Sequence, residues 1–243
     1  MIALFTDFGV EGPYLGQVHA VLKTLAPEVP VVDLMSDLPP FAVNSAAYLL
    51  PAFIRPFPAG TVFLCVVDPG VGGDRPAVVV DTGRFRFVGP GNGLFDVVLK
   101  RSPDARLWRL PPPGPQVPAS FHGRDVFAPV AASIARGEWR GAEPAEVDQR
   151  RLRALPDDLE AVAYVDRYGN AMTGIRVTRL DRSARLEVGG RRLSWARTFC
   201  AVRPGQPFWY ENASGLVEIA VREGNAAQTL GLRPGTPVRI LTS

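Results

Sequence analysis

The stretch Ile2 to Leu34, IALFTDFGVEGPYLGQVHAVLKTLAPEVPVVDL, decides how the first half of the chain reads. Ile2–Thr6 is a short apolar run with the length of a buried strand, Tyr14–Leu25 carries a helical pattern, and Val31–Leu34 is again apolar and β-branched. Strand, helix and strand in so short a span are the rhythm of parallel strands joined by a crossover helix. The alternation continues outward through a helix at Val43–Phe53 and a strand at Thr61–Val67. Ala77–Asp81 and Arg84–Val88, separated by Thr82-Gly83, read as a hairpin added to the same sheet, and Val126–Arg136 as a last helix. The expectation is an α/β N-terminal domain with a mostly parallel central sheet.

From Gly137 to Asp158 the composition turns to Glu, Arg, Pro and Asp with little apolar periodicity, which reads as a surface linker. This divides the chain into domains of residues 1–150 and 151–243, with the change of pattern falling near Pro156. Beyond it come short strands with turns at Gly169-Asn170, Gly189-Gly190, Gly205 and Pro234-Gly235, the pattern of a smaller, all-β, barrel-like C-terminal domain.

Hydrophobic residues make up 47% and charged residues 21%, ordinary globular usage, and no apolar run reaches the ~18 residues of a membrane helix. The net charge of +3 is small and no cluster of five basic residues occurs, so neither a nucleic-acid partner nor a membrane partner is expected. Cys65 and Cys200 both read as small buried hydrophobes, too few for a disulfide framework or a zinc site. The chain opens on a strand without a basic flank or cleavage signal, and a cytoplasmic location is expected.

In an open α/β sheet ligands bind beyond the carboxyl ends of the strands, and three such places stand out. Thr6-Asp7-Phe8-Gly9 follows the first strand; Asp7 is either an ordinary turn carboxylate or one that accepts two hydrogen bonds from a ribose diol. Asp68-Pro69-Gly70-Val71-Gly72-Gly73-Asp74-Arg75 follows the third. Its glycines imply a tight course, and Asp68 and Arg75 bracket it at a spacing that can bring the two side chains together. A strand follows rather than a helix, which rules out a phosphate-cradling P-loop. Ser120-Phe121-His122-Gly123-Arg124-Asp125 opens a helix; His122 is the better candidate for acid–base work, since the other histidine, His19, lies inside a helix and reads as structural. In the second half, Asp166-Arg167-Tyr168-Gly169-Asn170, Thr198-Phe199 and Asn225-Ala226-Ala227 offer amides and aromatics suited to a purine, or equally to turns and core.

Taken in order, Thr6-Asp7-Phe8-Gly9 with Tyr14 and Gly16, Pro39-Pro40-Phe41, Val67-Asp68-Pro69-Gly70-Val71-Gly72, Pro90-Gly91-Asn92-Gly93, Phe121-His122-Gly123-Arg124-Asp125 and Asp166-Arg167-Tyr168-Gly169-Asn170 resemble the S-adenosylmethionine hydroxide adenosyltransferase family. That family is related to enzymes that fluorinate or chlorinate the same ribose carbon. The resemblance implies hydrolysis of S-adenosylmethionine to adenosine and methionine, no metal or redox cofactor, and a homotrimer. Its active site would lie between the N-terminal domain of one subunit and the C-terminal domain of its neighbour. It implies that Asp68, Arg75 and His122 activate water, that Asp7 holds the ribose hydroxyls, and that Phe41 packs beside the sugar. By the same resemblance Asp166 meets the methionine amino group, while Tyr168, Asn170, Phe199 and the backbone at Ala226 form the adenine pocket. The chain departs from the family pattern at Gly12, where an acidic residue is usual and Glu11 is adjacent, and at Ser36-Asp37, Gly91 and Cys200-Ala201.

The substrate so implied is a sulfonium, which leaves as a neutral thioether without a general acid, so the burden falls on the nucleophile. Taking a proton from water outright costs about 12 kcal/mol with an ordinary histidine as acceptor and about 16 with an aspartate, so the proton must move as attack proceeds. Two other functions fit the same residues. A halide-dependent adenosyltransferase is disfavoured by Asp68, because a carboxylate repels an anion; a non-catalytic adenosine or S-adenosylmethionine binder would keep the pocket and lack turnover.

Overall fold

The computed structural model describes residues 1–139 and 142–241. The chain folds as two compact units, one of Met1–Leu50 with Pro56–Leu155, the other of Pro51–Arg55 with the chain from Pro156 onward.

In the first unit, β1 (Ile2–Thr6), α1 (Tyr14–Leu25), β2 (Val31–Met35), α2 (Val43–Phe53) and β3 (Val62–Val66) follow the alternation of the sequence. After them come β4 (Ala77–Asp81), β5 (Arg86–Pro90), α3 (Asp96–Arg101), β6 (Arg106–Arg109), α4 (Ala128–Ala135), β7 (Glu143–Ala145) and α5 (Gln149–Ala154). Among the described residues the strands form one seven-stranded sheet in the order β2-β1-β3-β5-β4-β6-β7. β1 and β3 are buried throughout, as continuous apolar strands covered on both faces must be. The core gathers Leu4, Leu22, Leu64, Phe127 and Ile134, and α4 packs on α1 and β3.

Three expectations need correction here. The sheet is mixed rather than mostly parallel: β2-β1-β3-β5 pair in parallel, and β5-β4-β6-β7 antiparallel. The hairpin turn takes in Thr82–Phe85, the Thr82 amide donating to the Phe85 carbonyl at 3.0 Å, so β5 starts at Arg86 and not Arg84. The supposed linker is largely ordered: β7 pairs with β6 through Leu107–Ala145 and Trp108–Pro144, and Asp148 caps α5 by accepting from the Arg151 amide at 2.9 Å. A three-residue edge strand containing Pro144 and a helix that buries only Leu152 leave almost no periodicity to read. Residues 140–141 of that segment lie outside the described ones.

The second unit is all-β apart from short helical turns. β8 (Leu159–Val165), β9 (Ala171–Arg176), β12 (Pro207–Glu211) and β13 (Leu216–Val221) form an antiparallel sheet in the order β12-β13-β9-β8. β10 (Arg185–Val188), β11 (Arg191–Leu193) and β14 (Arg239–Leu241) form a second, in the order β11-β10-β14. Isolated bridges join Ala161 to Pro237 and Trp195 to Trp209. The sheets share a core of Ile175, Leu186, Trp209 and Ile219, and α6 (Ala226–Leu230) packs on β13. Cys65 is buried as expected, but Cys200 is exposed, because it sits in a 3-10 turn, Phe199–Ala201, and not in a strand. Among the described residues no helix is long and apolar enough to cross a membrane.

Candidate active site

The chain leaves β3 and returns to β4 through the glycine-rich loop, held by two successive turns: the Val71 amide donates to the Asp68 carbonyl at 3.2 Å and the Gly73 amide to the Gly70 carbonyl at 3.1 Å. Gly72 has φ +79°, and a β-carbon there would lie 2.8 Å from the Ala119 carbonyl oxygen, so only glycine lets the loop come this close to the segment before His122. The turns bring the ends of the loop together. Arg75 Nε donates to Asp68 Oδ1 at 2.9 Å and Arg75 Nη2 to Asp68 Oδ2, a bidentate pair whose side chains are 12% and 4% exposed.

Arg75 Nη2 also donates to His122 Nδ1 at 2.9 Å. A guanidinium has donors only, so Nδ1 must accept, and the neutral ring carries its proton on Nε2. Burial holds the His122 pKa below its usual 6.5, with the adjacent Arg75 charge adding to the effect and Asp68 and Asp125 opposing it. His122 is therefore a neutral hydrogen-bond donor at Nε2. It stands at the head of a π-helical turn, Gly123–Phe127, in which the Arg124 and Asp125 amides share the Phe121 carbonyl. Such turns cluster at functional sites, and a helical pattern in the sequence does not separate one from α4, which begins only at Ala128. The Arg75 guanidinium also lies over the Phe127 ring, 5.3 Å from its centroid.

Asp7, at the end of β1, is half-buried. Burial raises its pKa above the ordinary 3.8, with the Asp68 charge assisting and backbone amides opposing. One of those amides is Phe41 N, which donates to Asp7 Oδ2 at 3.0 Å. Phe41 has φ +65° and is 73% exposed, a strained backbone that leaves the residue largely in solvent. Asp7, Phe8, Phe41, Asp68, Val71 and His122 line one cavity of about 110 Å³, while Arg75 is not in its wall. Phe8, Tyr14 and Phe121 pack edge-on or tilted beside it, with centroids 5.3 to 6.2 Å apart.

In the second unit Asp166 organises its own loop. Its Oδ1 accepts from the Tyr168 and Asn170 amides at 2.9 and 2.8 Å, and its Oδ2 accepts from Asn170 Nδ2 at 3.0 Å. Gly169, at φ +85°, leaves room for the Asn225 side chain, which caps α6, and the Ala227 amide donates to the Gly169 carbonyl at 2.9 Å. This brings exposed Tyr168 together with buried Asn170 and Ala226. Phe199 packs edge-on to Phe208 and Tyr210 at 5.4 and 5.3 Å.

The Tyr210 hydroxyl donates to Glu218, which also accepts from Asn212 Nδ2 at 2.9 Å and is 2% exposed. Burial raises the pKa of both Glu218 and Tyr210, with the Asp166 charge adding to each. Sequence reading missed this buried carboxylate; an acid in the apolar run Leu216–Val221 is the signal that could have found it. His19 Nε2 pairs with Asp33 Oδ1 at 2.8 Å on the surface, away from these groups. Among the described residues no three His, Cys, Asp or Glu side chains gather as a metal site would require.

A sheet whose strand ends carry a carboxylate–guanidinium–imidazole chain, followed by an all-β unit, is an architecture with known relatives. Models of the N-terminal and C-terminal domains of SAM hydroxide adenosyltransferases match residues 2–143 and 160–239, and the chain belongs to this family. It is 44% identical over 255 residues to the (R)-S-adenosyl-L-methionine hydrolase of Thermus thermophilus, covering 99% of each. A more distant likeness, 23% over 288 residues with 99% of this chain and 96% of the relative covered, is to a fluorinase of Nocardia brasiliensis. Among solved structures, an uncharacterized conserved protein from Thermotoga maritima superposes with a TM-score of 0.85 at 31% identity, covering 100% of both chains.

Proposed function

We propose that the chain hydrolyses S-adenosyl-L-methionine to adenosine and L-methionine, by in-line attack of water on ribose C5′. The observation that carries this is the hydrogen-bonded chain Asp68–Arg75–His122, two of whose members line the cavity that also holds Asp7 and Phe41. As the C5′–O bond forms, the C5′–S electron pair goes to sulfur and methionine leaves as a neutral thioether. The proton of the attacking water goes to the Asp68 carboxylate. His122, its Nδ1 occupied, orients that water by donation from Nε2, a narrower role than general acid–base work. Arg75 acts from outside the cavity wall as a positioning residue, fixing the carboxylate and the imidazole tautomer together.

Asp7 would hold the ribose diol and Phe41 would pack beside the sugar. A cavity of about 110 Å³ is well below the ~300 Å³ at which small-molecule sites begin, so a second surface must complete it. This supports a homotrimer in which a neighbouring subunit's barrel-like domain supplies Asp166 for the methionine end and Tyr168, Asn170, Phe199 and Ala226 for adenine. The Asp166 carboxylate already accepts three internal hydrogen bonds, two on Oδ1 and one on Oδ2, so in this reading it meets the ammonium group through the remaining lone pair of Oδ2. A cytoplasmic location belongs to the same proposal.

The test is product analysis in halide-free buffer: adenosine and methionine in equal amounts, with no dependence on added halide. Ligand binding without adenosine would favour a binding protein instead. The pH profile should separate two groups. Because the His122 pKa is lowered, its neutral form persists below pH 6.5, and kcat should hold through that value. Because the Asp7 pKa is raised, KM should climb on acidification before ordinary carboxylates protonate. Initial rates at saturating and limiting substrate across the acid range check both.

A further inference from the structure

A larger cavity, of about 620 Å³, shares with the first only His122. Its volume falls within the ~300–1,000 Å³ of small-molecule sites. Arg75 and His122 form part of its wall, so whatever occupies it reaches the water-activating groups without entering the substrate cavity. The rest of the wall has a specific chemistry. Leu110, Val117 and the proline-rich segment 111–115 are apolar, whereas Asp74 and Arg109 bring one negative and one positive charge. Both of these are exposed, and among the described residues neither makes an ion pair. One free carboxylate, one free guanidinium and a proline-rich apolar wall complement an ammonium, a carboxylate and an apolar side chain on one small molecule.

We propose that this cavity is a second, non-catalytic site for a zwitterionic amino acid with an apolar side chain, which Arg109 holds by its carboxylate and Asp74 by its ammonium group. Methionine, the product in the reading above, is such a molecule, and the regulatory consequence rests on that reading. A bound amino acid contacts Arg75 and His122 from outside the substrate cavity and slows turnover without displacing substrate.

Initial rates with S-adenosylmethionine and added L-methionine or L-leucine test this. Both amino acids are expected to lower kcat with KM unchanged, and L-methionine methyl ester, which lacks the carboxylate, is not. Arg109→Gln is expected to raise the inhibitory concentration at least about tenfold and to leave kcat without amino acid within about twofold, since this residue touches neither Asp68 nor His122. Purely competitive inhibition, or inhibition unchanged in Arg109→Gln, would overturn the proposal. Calorimetric titration of L-leucine into substrate-free protein needs no turnover. Binding by the unaltered chain that is lost in both Arg109→Gln and Asp74→Asn supports the site, and no binding refutes it. A chain that forms no adenosine counts against the hydrolase reading alone.

Discussion

Arg75→Ala is expected to cost about 3–5 kcal/mol of folding stability and to lower turnover at least about 100-fold. The stability loss follows from what remains: the Asp68 side chain is 4% exposed and would be left buried without its partner, while His122 Nδ1 would lose the donor that sets its tautomer. Lysine should recover part of the stability and little of the rate, because one ammonium group cannot reproduce the paired contacts of Nε and Nη2 with Asp68 together with the contact to His122. Urea unfolding alongside kcat checks this. Arg75→Ala protein with unaltered stability and rate would mean that the pair is ornamental.

Asp68→Asn separates the carboxylate's chemistry from its packing. The amide oxygen still accepts one of the two Arg75 hydrogen bonds while its NH2 faces the other donor, so one contact is left to hold the loop, and the group that takes the water's proton is gone. We expect kcat to fall about 10²–10⁴-fold with KM within about threefold of its starting value. His122→Gln provides the contrast, since a glutamine amide can still donate to water, and its loss should be smaller than that of Asp68→Asn. The reverse order would move the proton acceptor from Asp68 to His122.

The legible parts of this molecule are those where burial imposes a period. β1, α1 and α2 occupy Ile2–Thr6, Tyr14–Leu25 and Val43–Phe53, because apolar residues there are buried at the spacing of regular elements. The meeting of Asp68 and Arg75 was also legible, since a loop that turns on glycines has few ways to run from β3 to β4. β7 was not, because an edge strand with solvent on one side needs no apolar alternation. Nor does sequence reveal that Arg75 lies outside the wall of the cavity holding Asp7, or that His122 offers a donor to it. Both follow from which guanidinium nitrogen meets which ring nitrogen, a matter of ångströms. Glu218 stayed hidden because a strand pattern admits an acid at an outward position, and only the fold shows that this position faces Tyr210 and Asn212.

The most direct test is turnover of S-adenosylmethionine in ¹⁸O-water without halide, followed by mass analysis of the adenosine. The expected result is one ¹⁸O at the 5′-hydroxyl, with label and product both falling sharply in Asp68→Asn. Unlabelled adenosine, or labelled adenosine formed equally fast by Asp68→Asn protein, would contradict attack by a water that Asp68 deprotonates.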